Sequence, residues 1–169
     1  MCEKSKTVMW KLYNFIFITT FFCTSCCIYS FSGVSTGIKS IYIPTFENES
    51  LKYGLEDTFT KSVIDAFIED NRLKVSEKSN ADAVLLITIT SYKRTPYTYD
   101  ESENVKEYKI EISANVVLKK FGSDEEIFKQ SNFNEWATYY PETEEEENGI
   151  DKVAKKFADK IIRKLLESW

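Results

Sequence analysis

The residues best suited to a defined chemistry in this chain are Thr24, Ser25 and Cys26, which place two small side chains directly before a cysteine. Bacterial lipoprotein signals have this form, and their cysteine receives lipid on its sulfur and becomes the new N-terminus. We therefore predict that residues 1–25 are a lipoprotein signal peptide and that Cys26 is the lipid anchor. Several acyl chains together hold a protein stably on a membrane, whereas one chain binds only marginally.

The segment before the cysteine supports a cleaved leader. Three lysines precede a mostly apolar run from Leu12 to Phe22, which is the order of charge and hydrophobicity found in secretory signals. The run is much shorter than the roughly 20 residues that a transmembrane helix needs. Two alternatives stay open. Cleavage one residue later would make Cys27 the lipidated residue, and ordinary secretion would leave a free or disulfide-bonded cysteine.

The composition of the rest of the chain argues against most enzymes. There is no histidine, and all four cysteines lie at or before residue 27. Common metal sites and nucleophile–base pairs rely on those two residue types. The formal charge is −5 without a basic stripe, which is unfavourable for nucleic acid. We expect no catalysis, no cofactor, no metal and no nucleic-acid partner. The glutamates from Glu144 to Glu147 leave a carboxylate enzyme as an alternative, but at a helix start they are typical of a solvated cap.

Hydrophobic periodicity predicts one domain over residues 38–169, joined to the anchor by a tether of residues 26–37. The pattern gives a first strand stopped by Pro44, a loop at Phe46–Ser50, a short extended piece at Leu73–Val75 and a polar loop at Tyr97–Asn104. The predicted helices and longer strands are 38–43, Leu55–Asp70, Ala83–Tyr92, Tyr108–Leu118, Glu126–Ala137 and a closing helix through Leu165. We predict a two-layer α+β sandwich, with two amphipathic helices on one face of a roughly four-stranded, mixed and mostly antiparallel sheet.

The closing helix has the clearest apolar stripe. Thr143 and Glu146 have the spacing of a capping box. Gly149 is a weak helix former, so we expect the regular helix to begin near Asn148.

Four stretches, in this order along the chain, resemble the LPS-assembly lipoprotein family, whose members are the small subunit of the outer-membrane lipopolysaccharide translocon. The stretches are Cys26–Gly33, Gly37–Asn48, Ala81–Arg94 and Leu165–Trp169. No single stretch is specific, but their succession at the right spacing covers nearly the whole chain after the leader. The resemblance implies the same α+β fold that the periodicity predicts.

The resemblance also implies a function. Such a protein is a periplasm-facing lipoprotein of the outer membrane that plugs a large β-barrel partner, helps it assemble and binds lipopolysaccharide in transit. It implies ligand contacts near one tip of the domain, where basic residues meet lipid A phosphates. Lys93 and Arg94, beside Pro96, are our candidates, since a Lys-Arg pair near aromatic residues suits phosphate with acyl or sugar contact. For each residue, a solvated strand end is the alternative.

A second hypothesis is a stand-alone, periplasm-facing lipoprotein that binds a small ligand or a cell-wall glycan. It predicts a concave pocket lined by aromatic side chains. Aromatic residues crowd the loop and edge-strand regions and would suit either a protein interface or the core. They are Tyr97, Tyr99, Trp136, Tyr139 and Tyr140.

Overall fold

The computed structural model describes residues 37–167. The predicted signal peptide, its cleavage site and Cys26 lie outside the described residues. Residues 37–167 contain six strands, two α-helices and a 3₁₀ turn at Lys78–Asn80. In chain order these are β1 (Ser40–Tyr42), β2 (Glu47–Asn48), α1 (Leu55–Asp70), β3 (Lys74–Val75), β4 (Ala83–Tyr99), β5 (Val105–Lys120), β6 (Glu126–Tyr139) and α2 (Glu146–Glu167).

The strands form one mixed sheet in the order β3-β1-β4-β5-β6, and β2 pairs with β4 farther along than β1 does. The three short strands run parallel to their neighbours, whereas β4, β5 and β6 are antiparallel. The prediction of roughly four strands was therefore too low. The additional strand β2 has two residues, which is too short for alternation to show, and it lies in the segment predicted as a loop. β3 also has two residues and lies within the short extended piece predicted at Leu73–Val75.

β4 is also longer than predicted. It continues through Lys93 and Pro96 to Tyr99, so most of the predicted loop at Tyr97–Asn104 is strand or tight turn. Proline normally ends a strand because it has no N–H to donate, but it is tolerated at a sheet edge. Within residues 37–167, this part of β4 pairs on one side only, with β5. The edge position explains why Pro96 does not stop the strand.

Both helices cover the same face of the sheet, as predicted. Phe157 of α2 packs edge-on against Phe59 of α1, at 5.3 Å between ring centroids, and against Phe133 of β6, at 5.0 Å. The buried apolar side chains of both helices and the sheet form one continuous cluster. Neither helix of residues 37–167 combines the length and the apolar composition needed to cross a bilayer.

The start of α2 differs from the prediction. The helix begins at Glu146, and the carboxylate of Glu146 bonds to Lys52, Tyr92 and Arg94 instead of closing a capping box with Thr143. Gly149 is buried against the sheet. A Cβ placed there would lie 2.8 Å from Ile110 Cδ1 and 2.8 Å from Tyr139 Cδ1. Glycine is thus the residue that lets this helix approach the strands closely.

Candidate functional site

The long strands extend well past the short ones, and we call their far part the distal end: Ser91–Tyr99 of β4, Val105–Ser113 of β5 and Asn134–Tyr139 of β6. The chain enters the domain at the opposite end. There the carboxylate of Asp82, just before β4, accepts hydrogen bonds from the backbone N–H groups of Lys39 and Ser40, both at 2.9 Å. These bonds hold the pKa of Asp82 below its usual value.

The two predicted ligand residues lie in the distal end but on opposite faces. Lys93 is opposite Glu111 of β5, on the face that the helices leave open, and Arg94 is opposite the buried Ile110, on the helix face. Neighbouring residues of a strand alternate between faces. Lys93 and Arg94 therefore do not form one pair of cations, and any contact with a common ligand would come from two sides of the sheet.

On the helix face, Arg94 lies over two stacked tyrosines. Its Cζ is 4.0 Å from the ring centroid of Tyr108 and 5.8 Å from that of Tyr139, and the two rings are 5.8 Å apart. A guanidinium over an aromatic face gains a cation–π attraction. Arg94 Nη1 is also 3.2 Å from Glu146 Oε2. The guanidinium is thus oriented and partly neutralised.

Glu146 links this cluster to the rest of the domain. Its Oε1 accepts hydrogen bonds from Lys52 Nζ and from the Tyr92 hydroxyl, both at 2.7 Å. Burial raises the pKa of Glu146, but the hydrogen bonds from Lys52 and Tyr92 outweigh that effect and leave the pKa below its usual value. Burial and the hydrogen bond to Glu146 raise the pKa of Tyr92, and the same carboxylate raises the pKa of Lys52. At neutral pH the cluster therefore holds an ionised carboxylate, two cations and a neutral phenol.

On the open face, Trp136 is the centre of a second cluster. Lys109 Nζ and Lys156 Nζ each lie 5.3 Å from its ring centroid, and the Tyr97 ring is 5.8 Å away. Lys109 also forms a 2.6 Å ion pair with Glu111. Trp136 and Tyr97 remain 40 % and 49 % exposed. An exposed aromatic surface flanked by cations can accept a flat or sugar-like group beside an anionic one.

Of the aromatic residues grouped by sequence, Tyr97, Tyr99, Trp136 and Tyr140 are exposed and Tyr139 is buried. Sequence reasoning missed the roles of Lys109 and Lys156. The alternation of β5 places Lys109 on the open face, so its position was predictable, but its neighbour Trp136 was not. The ion pairs formed by described residues include Arg94–Glu146 and Lys109–Glu111 but none at Lys93. Lys93 lies opposite Glu111, and its charge contributes to the lowered pKa of that carboxylate.

The glutamate run at the start of α2 has structural partners. Glu144 forms a 2.7 Å ion pair with Lys152, and Glu146 belongs to the cluster around Arg94. In the part of the chain that the structure describes, no group of three or more Asp, Glu, His or Cys side chains is placed to hold a metal ion.

A cleft of about 600 Å³ lies between the C-terminal ends of the two helices, at a distance from the aromatic clusters. Its described lining contains charged and aliphatic residues and no aromatic one, so it does not match the pocket expected of a small-ligand lipoprotein. The lining residues include Ala66, Asp70, Arg72, Asp159, Ile162 and Leu166.

Comparisons with known proteins give one family, from a sequence model, and a shared fold, from solved structures. The family model LptE, described as lipopolysaccharide-assembly, matches residues 38–165. No curated protein sequence matches the chain. Among solved structures, a Xanthomonas campestris protein aligns with a TM-score of 0.57 at 9 % identity, covering 78 % of this chain and 85 % of that one.

Two further structures are similar. A hypothetical protein of Chlamydia trachomatis aligns with a TM-score of 0.54 at 9 % identity, covering 76 % of this chain and 95 % of that one. A single-residue variant of the PelC dodecamer of Paraburkholderia phytofirmans aligns with a TM-score of 0.53 at 11 % identity, covering 75 % of this chain and 87 % of that one. At these identities the structural matches show a shared fold.

Proposed function

The chain belongs to the LptE lipopolysaccharide-assembly family, and from this membership we propose that it is a non-enzymatic lipoprotein of the outer membrane, facing the periplasm. In this role it sits inside the β-barrel lipopolysaccharide translocon, helps that barrel assemble, and binds lipopolysaccharide during transport to the cell surface. The observation that carries the proposal is the extent of the family match, residues 38–165, which includes every helix and strand of the described domain except the last two residues of α2.

The N-terminal part of the proposal concerns membrane attachment. Residues 1–25 are removed as the signal peptide, Cys26 carries the lipid, and residues 26–37 connect it to the domain. The domain is entered at the Asp82 end of the sheet, because Lys39 and Ser40 are hydrogen-bonded there. The distal end is therefore the part of the sheet farthest from the chain entry.

The distal end supplies the proposed lipopolysaccharide contacts. Lys93 on the open face and Arg94 on the helix face are the phosphate-binding candidates, and each has aromatic side chains on its own face. A lipid A headgroup presents phosphates on sugar rings, and on the open face the exposed rings of Tyr97 and Trp136 and the cations there suit both parts of it. Lys109, next to Trp136, adds a second cation to the open face.

The test is affinity purification of the tagged, full-length protein from detergent-solubilised membranes, with partners identified by mass spectrometry. We expect a large outer-membrane β-barrel protein in near-equal amount, and depletion of the lipoprotein should reduce surface lipopolysaccharide. Recovery of a lipid-modified monomer without a barrel, together with unchanged surface lipopolysaccharide, would disprove the proposal and leave the small-ligand hypothesis.

A further inference from the structure

Lysine side chains of α2 cover the outer edge of the sheet at β6. β6 is the last strand, and its outward carbonyl groups accept hydrogen bonds from lysines spaced four residues apart on α2. The pairs are Lys152 with Thr138 at 3.4 Å, Lys156 with Trp136 at 3.3 Å, and Lys160 with Asn134 at 2.7 Å.

The lysines of α2 and the outward carbonyl groups of β6 recur at nearly equal distances along their elements. Four residues of an α-helix rise about 6 Å, and two residues of an antiparallel strand rise about 7 Å. The three lysines can therefore reach three alternate carbonyls in succession. Exposed edge strands invite pairing with another chain, and lysine is a residue that natural proteins use to prevent it. The β6 edge is protected in this way.

The opposite edge of the sheet is only partly covered. β1 pairs with Ala83 and Val84, and β2 pairs with Thr88 and Ile89. The N–H of Glu49 adds a last hydrogen bond to the carbonyl of Ile89, at 2.9 Å. Beyond that point, no strand within residues 37–167 lies on the outer side of β4. We call Ser91–Thr95 the open edge. It ends before Pro96 and has the length of an ordinary short strand.

The loop beside the open edge presents apolar side chains to solvent. Asn48 holds this loop, since its Oδ1 accepts bonds from the N–H and the hydroxyl of Ser50, at 3.0 and 2.7 Å, and its Nδ2 donates to the carbonyl of Lys52 at 2.8 Å. Leu51 and Tyr53 are nevertheless 98 % and 93 % exposed. A cleft of about 410 Å³ separates this loop from the start of the open edge. Apolar side chains held outward by a well-bonded loop indicate an interaction surface.

The positive charge of Lys93 disfavours a second copy of this chain as the strand that pairs with the open edge. Lys93 is exposed in the middle of the edge and lies opposite Glu111 of β5. Opposite charges on adjacent strands stabilise a pair, and like charges directly opposite destabilise it. Antiparallel pairing of two copies centred on this segment would place Lys93 opposite Lys93, so a second copy of this chain is disfavoured.

We propose that the open edge binds an extended segment of the β-barrel partner as an added strand. The main chain of that segment continues the hydrogen bonding of β4 beyond the point where β2 ends, and an apolar side chain of the segment enters the cleft beside Leu51. Strand addition of this kind obtains affinity from main-chain bonds and specificity from side-chain pockets. The inference rests on the proposed function, because it names the surface through which the barrel is bound.

Hydrogen exchange of the purified complex tests the main-chain bonds. The exchange of amides in Ser91–Thr95 is compared between the complex and the lipid-modified protein alone, with Asn134–Thr138 as the internal reference. These two segments flank the same part of β5. Ser91 and Asn134 both pair with Ser113, and at the other end Thr95 and Thr138 both pair with Lys109. We expect exchange in the open edge to slow by about tenfold or more in the complex, with little change in the reference.

Photo-crosslinking in cells provides the second measurement. A photoreactive amino acid replaces Ser91 or Thr95 in the full-length protein, and Asn134 or Thr138 in the matched controls. We expect Ser91 and Thr95 to crosslink to two positions about four residues apart in one segment of the barrel, as two aligned strands require. The controls should give no such registered pair.

The outcomes separate the two proposals. If the barrel is recovered but exchange in Ser91–Thr95 is unchanged, strand addition is wrong and the proposed function stands. If no barrel is recovered and surface lipopolysaccharide is unchanged on depletion, both proposals are wrong. Crosslinks from Ser91 or Thr95 to residues 26–36 of the same chain, or to a second copy, would also overturn the inference.

Discussion

At the scale of single residues, Glu146 controls the charge balance of the helix-face cluster. Lys52, Tyr92 and Arg94 all bond to its carboxylate. The pKa of Glu146 in the folded protein lies below its unfolded value near 4.5. A carboxylate with a lowered pKa contributes stability above the unfolded pKa and loses it as the pH falls through the folded pKa. The cluster is therefore a stabilising element at neutral pH that weakens in acid.

We predict that Glu146→Gln lowers the free energy of unfolding by about 1–2 kcal/mol at pH 7, because it removes charge-assisted bonds that are partly screened by solvent. The difference from the wild-type protein should shrink toward zero at a pH below the folded pKa of Glu146. Urea unfolding at both pH values measures it. Glu147→Gln is the control, since that side chain is 70 % exposed. An equal deficit at both pH values would show that the ionised carboxylate is not responsible.

Replacing Lys93 or Arg94 with Gln should have different effects on lipopolysaccharide binding and on the melting temperature. Lys93→Gln should weaken lipopolysaccharide binding by roughly tenfold, the value of one charge-assisted phosphate contact, without changing the melting temperature. Arg94→Gln should lower both the affinity for lipopolysaccharide and the melting temperature, because Arg94 also bonds to Glu146 and stacks on Tyr108. Binding is measured with purified lipopolysaccharide and stability by thermal unfolding. Lys120→Gln, at the other end of β5, is the control. Unchanged binding in Lys93→Gln would remove that residue from the site.

At the scale of elements, the packing of α2 on the sheet depends on Gly149. We predict that Gly149→Ala destabilises the protein by about 1–3 kcal/mol, although alanine is the better helix former by about 1 kcal/mol. The added methyl group would lie 2.8 Å from both Ile110 and Tyr139. Thermal unfolding measures the effect, and Asp151→Ala on the exposed side of α2 is the control. A more stable Gly149→Ala protein would show that the strands can move away at little cost.

The lysines that cap β6 should matter for solubility more than for folding. Replacing Lys152, Lys156 and Lys160 with Met keeps the aliphatic stems but leaves the edge carbonyls without donors. We predict concentration-dependent self-association, measured by light scattering, because an unprotected edge pairs with other chains. A triple Met variant at Lys155, Arg163 and Lys164, all exposed on α2, removes the same charge and should stay monodisperse. Equal association of both variants would assign the effect to charge alone.

The elements also show how far the sequence could predict this fold. The apolar stripe of α2 and the alternation of β5 follow from local periodicity, and both are observed. β2 could not be predicted, because its two polar residues are strand only through their pairing with Thr88 and Ile89. The end of β4 was misplaced because Pro96 is a strand breaker unless one side is unpaired, and that depends on the sheet order.

The candidate site was predictable only in part. Lys93 and Arg94 were found from residue type and resemblance, but the opposite faces they occupy follow only once β4 is known to continue past them. The partner of Arg94 is Glu146, which lies in a run of four glutamates where nothing local distinguishes it. Pairs this far apart in sequence form through the packing of α2 on the sheet. The local sequence pattern therefore located the candidate residues at the distal end but could not predict which side chains they contact.

At the scale of the whole described domain, one apolar cluster joins the helices to all the longer strands. We predict that the distal end unfolds with the rest in one cooperative transition. Trp136 reports on the distal end by fluorescence, provided that Trp169→Phe removes the other tryptophan after the leader, and far-UV circular dichroism reports on the helices. The two melting curves should coincide. An earlier change in Trp136 fluorescence would instead reveal an end that opens separately.

The 17 residues of β4 also set a length. At about 3.3 Å per residue, the strand runs roughly 53 Å from Ala83 to Tyr99 and roughly 36 Å from Ala83 to Arg94. The hydrocarbon core of a bilayer is about 30 Å thick, and about 40–45 Å with its headgroups. The hairpin of β4 and β5 is therefore longer than the hydrocarbon core of a bilayer is thick. Removing two residues from each strand would shorten it by about 7 Å while keeping every side chain on its original face.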